Sequence, residues 1–107
     1  MTDALVVLCT CPDSEEASRL ARDLVENRFA ACVNILPPVR SIYRWQGETQ
    51  DEEEVLMIIK TSTRAFTALQ AWLLDNHSYD VPEILALPVA QGSPDYLDWL
   101  MQGASAG

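Results

Sequence analysis

Basic residues are scarce in this 107-residue chain: seven Lys and Arg stand against sixteen Asp and Glu, for a net charge of −9. A surface of that sign repels phosphate backbones and offers no basic stripe, which argues against RNA or DNA as a partner. Histidine is scarcer still, because His77 is the only one, so any proton transfer or imidazole ligation near neutral pH falls to it. Cysteine is limited to Cys9, Cys11 and Cys32. An odd number without a CxxC pair fits no disulfide framework and no four-ligand zinc site within one chain. No apolar stretch approaches the roughly 18–20 residues of a membrane span, and MTDALVVLCTC carries no cation ahead of its apolar run. That run reads as a strand, no membrane partner is implied, and the expected compartment is the reducing cytoplasm. Low-complexity sequence is missing too, apart from a small tail at Gly103 to Gly107. A single packed domain over residues 1–107 is the expectation.

Leu5 to Cys11 is a continuous apolar run of the kind found in a central strand. Pro12 stops it, and Asp13 can cap a helix with Glu16 three residues on. Ala17, Leu20, Ala21, Leu24 and Val25 then form one apolar stripe at helical spacing. Ser41 to Thr61 reads as a long hairpin. The outgoing arm runs from about Ala30 to Trp45, and Gly47 with the acidic run Asp51 to Glu54 supplies the turn. On the return arm Val55, Met57, Ile59 and Thr61 share one face. Hydroxyls at Thr61 to Thr63 can cap a second helix carrying Phe66, Leu69, Trp72 and Leu73, which ends at Asn76 and His77. Glu83 to Ala90 gives a last strand, and Ser93-Pro94 opens a short final helix. The order βαββαβ plus a terminal helix predicts an α+β, ferredoxin-like sandwich, with the first and third strands central and helices on one face.

The hairpin is too long for the domain that carries it. At about 3.3 Å per residue the outgoing arm can span about 50 Å, whereas a compact chain of this length has a radius of gyration of about 13 Å. An exposed arm bearing Tyr43 and Trp45 is an aggregation hazard unless another chain covers it, so the hairpin is read as the assembly device of a homo-oligomer. Tyr43, Trp45 and Trp99 are taken as interface anchors.

Cys9 and Cys11 alternate on a strand and so share a face, an arrangement that commonly serves as small buried hydrophobes. Antiparallel pairing brings them to the sheet edge that also holds the loop from His77 to Glu83. There Tyr79, Pro82 and Glu83 add a hydroxyl, a rigid turn and a carboxylate to the imidazole. A thiolate of Cys9 or Cys32 with His77 as base would be an enzymatic reading, which needs hydrogen-bond contact and a depressed thiol pKa. Asp51 to Glu54 lacks the looped spacing of a calcium site and reads as a solvated hairpin tip.

Together VVLCTCPD, AACVNI, SIYRWQGE, EEEVLMIIKT, HSYDVPEILALPV and YLDWL cover almost the whole chain. In these segments it resembles the CutA family of divalent-cation-tolerance proteins. The resemblance implies a trimer with hairpins joined between subunits, a PII-like architecture, a link to copper tolerance and no enzymatic reaction. It also implies copper or another divalent cation as the bound group, held by Cys9 and His77, with Asn76 standing where the family has a second histidine. Soft thiolate and imidazole suit copper. A second reading is a PII-like small-molecule sensor or structural hub, with Lys60, Tyr79 and Glu83 in a ligand cleft between subunits. Acylphosphatases share the expected fold but need a cationic cradle after the first strand, where this chain has CPDSEE.

Overall fold

The structure is a computed structural model describing residues 1–107. Its elements follow in the order β1 (Ala4–Cys11), α1 (Ser14–Glu26), β2 (Cys32–Ile35), β3 (Val39–Trp45), β4 (Glu48–Ser62), α2 (Thr63–Asn76), β5 (Leu85–Pro88) and α3 (Pro94–Gly103). The sheet runs β2-β4-β1-β5 with every neighbouring pair antiparallel, so the two most apolar strands are central as their sequences predict. Strand alternation gives that sheet two faces. Val7, Cys9 and Cys11 of β1 and Val55, Met57 and Ile59 of β4 point to the helices, where Leu20 and Leu24 of α1 and Leu69 and Leu73 of α2 close the core. The opposite face carries Val6 and Leu8 beside Leu85 and Leu87 of β5. Leu85 and Leu87 are about half exposed.

Local chemistry explains the boundaries. Asp13 caps α1 by accepting from the Glu16 N–H at 2.8 Å, and Ser62 caps α2 by accepting from Ala65 N–H at 3.0 Å. Pro94 stands at the start of α3, where its missing donor costs nothing. The outgoing arm is two strands rather than one. Pro37 and Pro38 cannot donate to a ladder, so β2 ends before them and β3 begins after them.

Gly47 supplies the turn as expected, but the acidic run does not. Gln46 and Gly47 both have positive φ, 51° and 82°, forming a two-residue hairpin loop with Trp45 opposite Glu48. Asp51 to Glu54 therefore lies within β4, opposite Val39 to Ile42, and is not a solvated tip. Asp51 receives two hydrogen bonds from Arg40 at 2.8 and 2.6 Å, while Glu54 is 7% exposed. The last strand is shorter than expected, four residues instead of Glu83 to Ala90.

β4 spans 15 residues and serves two partners in succession. Its first half pairs β3 alone, and its second half lies between β1 and β2. The hairpin thus extends past the helices, and the molecule measures 44 × 25 × 23 Å with a radius of gyration of 14.2 Å. A smaller cluster, Ala4, Ala65, Leu100 and Ala104, seats α3 at the far end of β1. Gly103 is required there, because a Cβ would sit 2.8 Å from the Ala31 Cβ.

Leu24 is fully buried, whereas Leu74 on α2 is 53% exposed. Leu24→Ala is expected to cost roughly 2–5 kcal/mol of unfolding free energy through lost burial and a residual cavity. Leu74→Ala should stay within about 0.5 kcal/mol. Urea denaturation of the two variants checks the assignment of the core.

Candidate functional site

Residues from β1, α1 and the segment after α2 converge at the helix-facing end of β1. Cys9 and Cys11 point inward there because they occupy alternate positions of a strand whose other face is turned away. His77 follows the last turn of α2, where its backbone N–H closes on Leu73 O at 2.9 Å. That anchor directs the ring back over β1. The Cys9 and Cys11 sulfurs and a ring nitrogen of His77 all lie within 4.8 Å of one another, and all three residues are buried. Cys11 Sγ is 3.8 Å from His77 Nε2.

The hydrogen bonds fix the imidazole tautomer. Tyr79 N–H donates to Nδ1 at 3.0 Å, so Nδ1 is an acceptor. Nε2 then carries the proton and donates to Thr10 O at 2.8 Å. Glu16 Oε2 lies 3.5 Å from Nδ1 and accepts from Ser78 N–H at 3.1 Å. The carboxylate thus ties α1 to the segment that carries the ring instead of closing a reciprocal capping box. The Cys9 thiol is pushed well above its ordinary range, first by its hydrogen bond with Cys11, then by burial, with the Glu83 and Glu16 charges adding to both. A thiol held protonated in this way is a poor nucleophile, which removes the activation an enzymatic thiol–imidazole dyad at Cys9 requires.

Chemically, the cluster presents two sulfurs and one nitrogen, a soft donor set suited to copper and short of the four ligands of structural zinc. Cys11 extends the expected pair of Cys9 and His77. Its signal was present in the CTC spacing, which places both thiols on one side of the strand. Glu16 carried no such signal, because the function of a residue in the first turn of a helix depends on what packs over it.

A second feature occupies the opposite face at the same end. The hairpin arms, as far out as Trp45, and the segment after His77 border an open hollow of about 680 Å³. Tyr43, Trp45 and Tyr79 give it aromatic walls, and Glu52, Glu54 and Glu83 give it carboxylates. Tyr79 O–H donates to Glu54 Oε2 at 2.8 Å, and Tyr43 O–H donates to Glu52 Oε2 at 3.1 Å. Burial, followed by the Glu54 hydrogen bond, raises the Tyr79 phenol well above its ordinary range. The remaining expected residues lie elsewhere in the chain. Lys60 pairs opposite Val6 and Cys32, with its Nζ 5.9 Å from the centre of the Tyr96 ring. It is not among the residues lining the hollow that holds Tyr79 and Glu83. Trp99 sits on α3 with its ring 5.4 Å from Tyr96, apart from Tyr43 and Trp45.

Fold and donor set together define the class: a small α+β protein of βαββαβ type, with a C-terminal helix and a soft-donor cluster at one end of its sheet. The family described as "CutA1 divalent ion tolerance protein" matches residues 5–103, and the chain belongs to that family. A "Divalent-cation tolerance protein CutA" from Thermus thermophilus is 53% identical over 97 residues, which are 91% of this chain and 94% of the relative. The solved "Divalent cation tolerance protein (Cut A1)" of the same organism superposes with a TM-score of 0.92 at 50% identity, covering 97% of this chain and 99% of that one. The "Periplasmic divalent cation tolerance protein CutA" of Archaeoglobus fulgidus gives a TM-score of 0.91 at 35% identity, covering 95% and 99%. The family is defined by ion tolerance and not by a reaction, and the chain is classed accordingly as non-enzymatic.

Two outcomes are expected from this geometry. In native protein at neutral pH, iodoacetamide should modify the partly exposed Cys32 and leave the buried Cys9 and Cys11 unmodified; mass mapping of the labelled peptides decides it, and rapid labelling of Cys9 would contradict the protonated, buried thiol. The folded chain also holds the Tyr79 proton more tightly than the unfolded chain does. Its contribution to stability is therefore intact below about pH 10, the ordinary phenol value, and is lost progressively as pH rises beyond it. The fall in urea midpoint between about pH 8 and about pH 11 should be smaller in Tyr79→Phe than in the parent.

Proposed function

We propose that this chain acts as a homotrimer that binds copper or another divalent metal at the Cys9, Cys11 and His77 cluster and thereby contributes to cation tolerance. One observation carries the reading: three buried soft donors from two separate segments converge within 4.8 Å. Cys9 and Cys11 supply sulfur, and His77 supplies Nε2 once that nitrogen gives up its proton and its bond to Thr10 O. Glu16, 3.5 Å from Nδ1, is placed to receive an N–H there in the exchanged tautomer. The metal is the cargo of the protein, and two thiol protons leave when it enters as a dithiolate complex.

Assembly is supported by two surfaces that one chain leaves open. The hairpin exposes Ile42, Tyr43 and Trp45, and the outer face of the sheet exposes Leu85 and Leu87. Both are apolar surface of the kind that a second subunit covers. Three subunits and the PII-like arrangement come with the family resemblance, with Tyr43, Trp45 and Trp99 as interface anchors. The three free cysteines suit the cytoplasm, and no helix is long and apolar enough to cross a membrane. Residues 1–107 would act as a single domain in such an assembly.

The hollow favours a second reading, a PII-like sensor or hub with an organic ligand between subunits. Tyr79 and Glu83 line the hollow, and Lys60 would join them from a neighbouring copy.

Titration with Cu(I) and Cu(II) against a competing chelator tests the first reading, with Cys9→Ser, Cys11→Ser and His77→Ala alongside and the mass of each sample followed by light scattering. The expected result is stoichiometric binding, lost or weakened at least about tenfold in each variant while a trimeric mass persists. Equal binding by parent and all three variants would remove the cluster as the metal site.

A further inference from the structure

The hollow along the hairpin is strongly one-sided in charge. Glu52, Glu54, Asp80 and Glu83 line it, and no Lys, Arg or His does. The ion pairs of the chain are elsewhere: Arg40 binds Asp51, and His77 lies beside Glu16. Glu54 is the telling residue. It is only 7% exposed, its Oε2 accepts from Tyr79 O–H, and no cationic group of the chain lies within salt-bridge distance of it. Its Oε1 has no hydrogen-bond partner, and it is not sealed from solvent either. Glu54 is one of the residues that line the hollow. With one oxygen held by a phenol, the other open to solvent and no cation of the chain paired with it, this carboxylate is free to accept from a positive group that enters.

The shape of the donor set decides which kind of cation fits. The carboxylates of the hollow do not converge, since the one group of three metal-capable side chains in the molecule is Cys9, Cys11 and His77. A bare hard ion needs oxygens gathered around one point. Glu52 and Glu54 instead stand two residues apart on one face of β4, a spacing of about 7 Å along the strand. Each is tethered by a phenol, Tyr43 for Glu52 and Tyr79 for Glu54, so that one oxygen is held and the other remains free to accept. Tyr43, Trp45 and Tyr79 add π faces to the same walls. Separated carboxylates between aromatic rings suit an organic cation, whose methylenes lie on the rings while its N–H groups reach the oxygens.

We propose that this hollow binds an aliphatic ammonium or guanidinium group. The inference deepens the ligand-cleft reading by naming the ligand class, and it does not depend on metal capture. The group has two sources with the same chemistry: a free small amine, or a basic side chain of a neighbouring copy, for which Lys60 and Arg44 are the candidates.

The test titrates the assembled protein with 1,4-diaminobutane and with succinate as a dianion of similar length, following the Trp45 indole N–H by NMR and the heat by calorimetry. The mass of the parent and of Glu54→Gln, Glu83→Gln, Lys60→Ala and Arg44→Ala is measured in parallel. If the ligand is a free amine, the diamine binds, succinate does not, and Glu54→Gln weakens the diamine by about tenfold or more with the mass unchanged. If a neighbouring copy supplies the cation, the diamine does not bind, and Glu54→Gln lowers the concentration stability of the assembly together with Lys60→Ala or Arg44→Ala. Either result supports the inference. Binding of succinate without the diamine would overturn the cationic class while leaving a ligand cleft in place. No binding of either probe up to about 10 mM, with the assembly indifferent to Glu54→Gln, would overturn both.

Discussion

The structure depends on β4, one continuous strand of 15 residues that must satisfy two different environments along its length. From Val55 onward its alternate residues are core, so register is specified by burial: a slip of one position would turn Val55, Met57 and Ile59 outward. The earlier half has no helix beneath it and is held mainly by β3 and by polar side-chain pairs across the ladder, such as Arg40 with Asp51 and Tyr43 with Glu52. Because the backbone is unbroken between the halves, the rigid register of the core is transmitted into the arm. The arm therefore leaves the domain at a defined angle, with a defined face turned toward the segment after α2. The cluster and the hollow both follow from that alignment.

The segment from His77 to Glu83 is the second dependency. It is short and largely without regular structure, yet its polar groups are fastened on several sides. Ser78 N–H binds Glu16, Tyr79 N–H binds its near neighbour His77, and the Tyr79 phenol binds Glu54 of β4. These contacts connect α1, β1 and β4 through one turn of chain. The His77 ring is fully occupied in this state, since each nitrogen has a backbone partner. A ligand that takes Nε2 must therefore alter a hydrogen bond of β1 itself. The cost is that of exchanging one bond to a carbonyl for one to the incoming group, which is modest when the new donor–acceptor pair is stronger.

Much of this was legible in the sequence, and the misses have separable causes. The helices announced themselves through caps and 3.6-residue stripes, and the central strands through uniform apolarity. The cysteine spacing places two sulfurs on one face by strand alternation alone. The hairpin turn falls at Gly47 as expected but is tighter, because Gln46 also adopts positive φ, a conformation uncommon for a residue other than glycine. The acidic run was misread. Solvation is the natural fate of four successive carboxylates, and only tertiary pairing with Arg40, Tyr43 and Tyr79 divides them among different roles. The last strand was overextended because, at the sheet edge and beside Pro82, its regular ladder covers only Leu85–Pro88, with Val89 continuing it by single bonds to Ala4 and Thr2.

Strand alternation finally accounts for the coexistence of two unlike donor sets at one end of the sheet. Cys9 and Cys11 lie on the helix side, dry and soft, while Glu52 and Thr10 face the hollow, wet and hard. One sheet thickness separates them, and Thr10 belongs to both, since its carbonyl accepts from His77 and the residue also lines the hollow. The negative potential extends across that boundary, because the charges of Glu83 and Glu16 help keep the Cys9 thiol protonated. The same field that disfavours a bare thiolate draws cations toward this end of the molecule. On the proposed function, a soft cation replacing the thiol protons would remove the charge penalty that the carboxylates impose, so the acidic surroundings would oppose the empty dithiolate and favour a metal-bound form.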